Sequence, residues 1–78
     1  MEEKKLVEVI AKSLVDNPEK VKINMVESEK TIIIELSVNE QDIGKIIGKH
    51  GRIAMAIRII LSAISNKINK RIILDIID

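Results

Sequence analysis

The sequence predicts an α+β domain of element order α-β-β-α-α-β, with three helices on one face of a three-stranded mixed sheet. Apolar residues recur at helical spacing near the N-terminus and again over residues 52–68. They alternate with polar residues at a period of two over 21–26, 31–38 and 71–77. All three glycines fall between positions 44 and 51, which divides the central helical region into a short helix and a long one. Seventy-eight residues suffice for one core, so a single domain over 1–78 is expected.

From about Lys4 to Val15, Leu6, Val7, Ile10, Leu14 and Val15 form one stripe, with Glu3, Lys4, Lys5, Glu8 and Lys12 on the remaining arc. Asp16-Asn17-Pro18 ends this helix, because proline disfavours the helical conformation in the residue before it. Val21, Ile23 and Met25 alternate with Lys22, Asn24 and Val26 as a first strand. After a turn at Ser28-Glu29-Lys30, a second strand from Thr31 to Val38 turns Ile32, Ile34, Leu36 and Val38 to one side, making an antiparallel hairpin. Asn39 caps a second helix from near Glu40, with Asp42 favouring its positive end, and Gly48 stops it.

A third helix from about Arg52 to Ile68 places Ile53, Ile57, Ile60, Leu61, Ile64 and Ile68 on its inner face. Arg71 to Ile77 is the last strand, with Ile72, Leu74 and Ile76 inward. A right-handed strand-helix-helix-strand crossover brings it in parallel to an earlier strand. Ile33, Ile73 and Ile77 then lie together on the uncovered face as a candidate contact patch.

Composition excludes several function classes. Without cysteine and with one histidine, disulfide, thiolate and zinc-cluster chemistry are not expected; no metal or cofactor is implied. The chain shows neither a signal-peptide core nor an apolar run near 18 residues, so a cytoplasmic protein without a membrane span is expected. The net charge of +1 hides an asymmetry: residues 1–42 carry −4 and residues 43–74 carry +7. Lys45, Lys49, Arg52, Arg58, Lys67, Lys70 and Arg71 are candidates for an electropositive face toward a polyanion, although Lys67, Lys70 and Arg71 could equally be plain solvated charges.

The basic half is centred on Asp42-Ile43-Gly44-Lys45-Ile46-Ile47-Gly48-Lys49-His50-Gly51-Arg52. Gly48 and Gly51 leave the backbone bare, the amides after Gly51 open a helix, and Lys49 and Arg52 add full charges, a combination suited to phosphate. It is not a nucleotide-hydrolase loop. Only three residues separate Gly44 from Gly48, and His50 stands where Ser or Thr must reach Mg²⁺. No Ser, Cys or Lys has an evident partner for nucleophilic catalysis, so no enzyme is expected.

Ile46-Ile47-Gly48-Lys49-His50-Gly51-Arg52 between two helices, in this element order, resembles the KH domain in its type II arrangement. With the closing stretch Asn69-Lys70-Arg71-Ile72-Ile73-Leu74-Asp75-Ile76-Ile77-Asp78, it is similar over its whole length to the small bacterial single-KH RNA-binding proteins of the KhpA kind. The resemblance implies a GxxG loop that clamps about four single-stranded nucleotides while their bases meet an apolar groove. It also implies an RNA chaperone or post-transcriptional regulator. Carried onto this chain, the RNA-binding residues are Ile43, Gly44, Lys45, Ile47, Gly48, Lys49, His50, Gly51 and Arg52. Lys45 and Lys49, one helical turn apart, would meet successive phosphates. Gly44 would serve close approach, of nucleic acid or of a neighbouring element. His50 could donate to phosphate when protonated or simply face water. Because the chain has no aromatic residue, base stacking is absent, and modest affinity with loose sequence preference is expected.

Opposite the Ile57 stripe, the third helix presents Met55, Ile59, Ser62, Ala63 and Asn66, with Ala56 beside them, as a candidate dimer interface. The resemblance implies self-association and pairing with a larger RNA-binding protein of the KhpB (Jag) kind. Alternative functions are an assembly adaptor acting mainly through this helix, and duplex DNA binding by the helix pair, against which the flanking strands and buried isoleucines argue.

Overall fold

Period-two alternation decides the sheet. The computed structural model describes residues 2–77; Met1 and Asp78, the ends of the expected domain, lie outside the described residues. In β2 (Thr31–Ser37) Ile32, Ile34 and Leu36 are fully buried, whereas Thr31, Ile33, Glu35 and Ser37 are half-buried. β1 (Lys22–Glu27) pairs antiparallel with β2 from Lys22↔Ser37 to Glu27↔Ile32. β3 (Arg71–Ile77) pairs parallel with it from Thr31↔Arg71 to Ser37↔Ile77. β2 is therefore the central strand of a mixed sheet in the order β1-β2-β3. The Ser28 amide closes the hairpin by donating to the Thr31 carbonyl at 2.8 Å.

α1 (Glu2–Leu14), α2 (Ile43–Ile47) and α3 (Arg52–Ile68) supply the other half of the core through Val7, Ala11, Ile46, Ile57 and Leu61, packed with Ile32, Ile34, Leu36 and Leu74. Each fully buried Ile or Leu here contributes about 1.5–3 kcal/mol relative to exposure. The element order and the type II KH fold are those expected. α3 ends where Asn69 takes a left-handed conformation, φ 58°, and its amide donates to the Ser65 carbonyl.

Three local expectations are corrected. Glu3 is not on the polar arc: at 4 % exposure it lies on the stripe of Val7 and Ala11, four and eight residues on, and one of its carboxylate oxygens is buried without a hydrogen bond among the described residues. The second helix starts as a 3₁₀ turn, Glu40–Asp42, and becomes α-helical only at Ile43. Asn39 does cap it, accepting from the Gln41 amide at 2.9 Å. On α3, Ile60 and Ile68 remain 44 % and 39 % exposed. The buried arc is centred between Ile57 and Leu61 because Ala54 packs inward, which leaves Ile60 about 90° away from it. Ile68 falls in the last turn, at the margin of the core.

Candidate nucleic-acid interface

α2 ends at Gly48, whose amide donates to the Gly44 carbonyl at 2.9 Å. Gly48 has φ 77° and ψ 170°, a region that essentially only glycine enters. A Cβ there would lie 2.6 Å from Cγ1 and 2.9 Å from Cβ of Ile53, so the turn sits directly on the first turn of α3. His50 and Gly51 follow with φ 58° and 72°, both left-handed. The Gly51 amide donates to the Gly48 carbonyl at 3.0 Å, and the Arg52 amide to the Lys49 carbonyl. Of the amides after Gly51 that were expected to face an anion, that of Arg52 is thus occupied inside the turn, and more of the charge falls to side chains. Lys49, His50 and Arg52 are all exposed, and among the described residues none of them has an ion pair with a carboxylate.

Lys45 is placed otherwise. Its Nζ lies 3.2 Å from Asp16 Oδ2 and 3.9 Å from Asp42 Oδ1, so it faces two carboxylates rather than standing free beside Lys49. Asp42 does not cap α2. Its side chain is 1 % exposed and accepts from the Asp16 amide at 3.3 Å, the Asn17 amide at 3.0 Å and Asn17 Nδ2 at 3.1 Å. The Asp16-Asn17-Pro18 segment, whose sequence signals only the end of a helix, is the clasp that ties the end of α1 to the start of α2.

Burial raises the Asp42 pKa, but the Asn17 side chain, the Asp16 and Asn17 amides and the Lys45 charge outweigh it and hold the carboxyl below its ordinary value. A depressed folded-state pKa gives stability that is present above the unfolded pKa and is lost as pH falls through the folded one. Asp42→Asn should therefore lower the Tm at neutral pH and flatten its decline in acid below about pH 4, near the unperturbed aspartate value. Thermal melts of both proteins between neutral and acid pH check this, and parallel acid declines would count against the clasp.

Other basic residues also divide. Arg58 Nη2 donates to the Leu74 carbonyl at 3.0 Å and fastens α3 to β3. Lys70 pairs with Glu27 and donates to the Ser28 carbonyl. Arg71, by strand alternation, lies on the open face of the sheet. Of the seven expected cations only Lys49 and Arg52, with His50, cluster at the turn.

Ile47, 38 % exposed, and Ile43, half-buried, lie one turn apart on α2. Ile43 lines a surface depression with Ser37, Val38 and Glu40, so the depression beside α2 is of mixed polarity. An added Cβ at Gly44 would meet nothing within 4 Å, so no element among the described residues makes the close approach there. Met55, Ile59, Ser62, Ala63 and Asn66 fall on the outward side of α3, with Met55 at 60 % and Ile59 at 64 % exposure. Ile60 joins them: Ala56, Ile59, Ile60 and Ala63 follow the i, i+3, i+4, i+7 pattern of one helical stripe.

No helix among the described residues is long and apolar enough to cross a membrane. No solved structure shows a significant match to the chain. Curated relatives do match over nearly their full length, each named RNA-binding protein KhpA. The chain is 53 % identical to the one from Aquifex aeolicus over 75 residues, covering 96 % of this chain and 95 % of the relative. It is 55 % identical to that of Clostridium perfringens over 74 residues, covering 95 % and 99 %. With that of Borreliella burgdorferi it shares 53 % over 73 residues, covering 94 % and 89 %. The family model described as KhpA/KhpB, KH domain, matches residues 4–76. A glycine turn between α2 and α3, carried on this α-β-β-α-α-β frame and accompanied by such similarity, makes the chain a member of the KhpA/KhpB KH-domain family.

Proposed function

We propose that the protein binds single-stranded RNA in the cytoplasm through the Gly48–Gly51 turn, as an RNA chaperone or post-transcriptional regulator. The observation that carries this reading is a bare, left-handed turn that displays Lys49, His50 and Arg52 with no carboxylate paired to them among the described residues. Relatives named for RNA binding support it. The backbone of the turn would approach phosphates, and Ile43 and Ile47 would meet the bases. Such a site holds and releases RNA, and relatives named for RNA binding support a binding role for it. Without aromatic stacking, affinity is modest and sequence preference loose. Competition against labelled single-stranded RNA tests the reading: unlabelled single-stranded RNA should displace it well below the concentration at which duplex DNA does. Equal competition by duplex DNA would overturn it.

Lys45 contributes less than its position suggests because Asp16 and Asp42 hold it. Asp16→Ala should leave it only the longer contact with Asp42 and tighten RNA binding by about two- to fivefold, the scale of one exposed ion pair, in a filter-binding or anisotropy titration. Unchanged affinity would show that Lys45 does not reach the RNA.

A second reading concerns assembly, and the exposure of Met55, Ile59 and Ile60 on α3 favours it. This helix would pair with its counterpart in another copy or in a KhpB-like protein, bringing two glycine turns onto one RNA. Ile59→Asp should shift the protein to monomer in sedimentation while leaving its fold intact. An unchanged mass would remove α3 as the interface.

A further inference from the structure

We infer that the open face of the sheet is a second self-association surface, built to receive another copy of this chain across a two-fold axis. Strand register sorts this face into rows. One inner row is apolar across all three strands: Val26, Ile33 and Ile73. On one side of it stand Thr31 and Arg71, and on the other Asn24, Glu35 and Asp75, with Lys22, Ser37 and the exposed Ile77 in a row beyond them. Val26 is 50 % exposed, Ile33 and Ile73 are half-buried, and none of the three is packed against the core formed beneath the helices.

This pattern is self-complementary in only one of two simple ways. An axis parallel to the strands stacks Glu35 of the central strand on the same carboxylate of the second copy and sets Asp75 over Asn24, beside that Glu35, which like-charge repulsion disfavours. An axis along the apolar row instead packs that row on itself and exchanges its flanks. Asp75 then lies over Arg71 of the second copy, Arg71 over Asp75 of the second copy, and Glu35 over the Thr31 hydroxyl. Arg71 and Asp75 are exposed and have no ion pair within the chain among the described residues, so both are available. Two such faces pack as aligned sheets about 10 Å apart, within reach of an Arg and an Asp.

The contact is small. Three strands at about 4.8 Å spacing, one of six residues and two of seven, present roughly 300 Å², below the ~800 Å² per partner of a stable interface. Association is therefore weak and concentration-dependent. It is independent of RNA binding, because the glycine turn belongs to the helical layer on the opposite side of the sheet. Used together with α3, it would extend assembly beyond a dimer.

Sedimentation of Ile59→Asp, which lacks the α3 contact, tests the face alone. Its mass should rise toward a dimer only at high protein concentration. Adding Arg71→Asp should weaken this association at least about tenfold, and the swap Arg71→Asp with Asp75→Arg should return it to within about threefold. A monomer at every concentration, or a swap as weak as the single change, would overturn the inference and leave the face to a different protein or to solvent. In the unsubstituted chain, amide resonances that move on concentration should include Ile33, Ile73 and Asp75; shifts confined to α3 would also overturn it.

Discussion

Gly48→Ala should destabilise the fold by about 3 kcal/mol, combining ~1–3 kcal/mol for a backbone region closed to side chains with ~1–3 kcal/mol of overpacking. In a domain of this size that is a fall in Tm of roughly 12–24 °C. The cause is local. At φ 77° and ψ 170° an alanine Cβ would sit 2.6 Å from Cγ1 and 2.9 Å from Cβ of Ile53, and the branch point of a β-branched side chain cannot swing aside. Gly51 provides the contrast, because an added Cβ there meets nothing within 4 Å and its left-handed φ of 72° is one that asparagine tolerates. Gly51→Asn should accordingly shift the melting point far less. Equal losses at the two positions would mean that general stiffness of the turn, rather than contact with Ile53, makes Gly48 necessary.

Lys49→Asp with His50→Asp should weaken single-stranded RNA binding at least about thirtyfold, since opposite charge replaces a cation at the tip of the turn. The log–log salt slope should fall by about 0.7 for each phosphate no longer neutralised. Both side chains are exposed, and aspartate tolerates the left-handed conformation of His50, so melting should change little. Anisotropy titrations at several salt concentrations, beside a thermal melt, separate this outcome from unfolding. Retained affinity in a folded double variant would remove the turn as the RNA-binding element. The two substitutions are complementary: one attacks the conformation of the turn from within, the other only what it shows to solvent.

Residues that shape the backbone and residues that carry charge differ in what a sequence displays. Chain-local signals were readable: period-two alternation located β2 and β3, helical spacing located α3 from Arg52 to Ile68, and the glycines located the turn. Asn39 announced a cap and served as one. The environment of each charge was not readable in this way. Lys45 and Lys49 look alike in sequence, yet Asp16, 29 positions before Lys45, lies 3.2 Å from it, while Lys49 has no carboxylate partner among the described residues. Arg58 counts in sequence among the candidates for an electropositive face, yet its guanidinium donates to the Leu74 carbonyl, 16 residues away. Glu3 showed the spacing that would have found it, since it precedes Val7 and Ala11 by four and eight residues, but its charge disguised the stripe.

By itself, then, the order of residues determined the α-β-β-α-α-β frame, the mixed sheet and the exposed basic turn, because backbone preference and amphipathic period act over neighbours a few positions apart. Tertiary structure alone decided which cations remain free, that Asp42 anchors the α1 terminus instead of capping α2, and that Ile60 faces outward. Those outcomes depend on Coulombic and packing partners brought together only by chain closure, over distances in sequence that no local pattern spans.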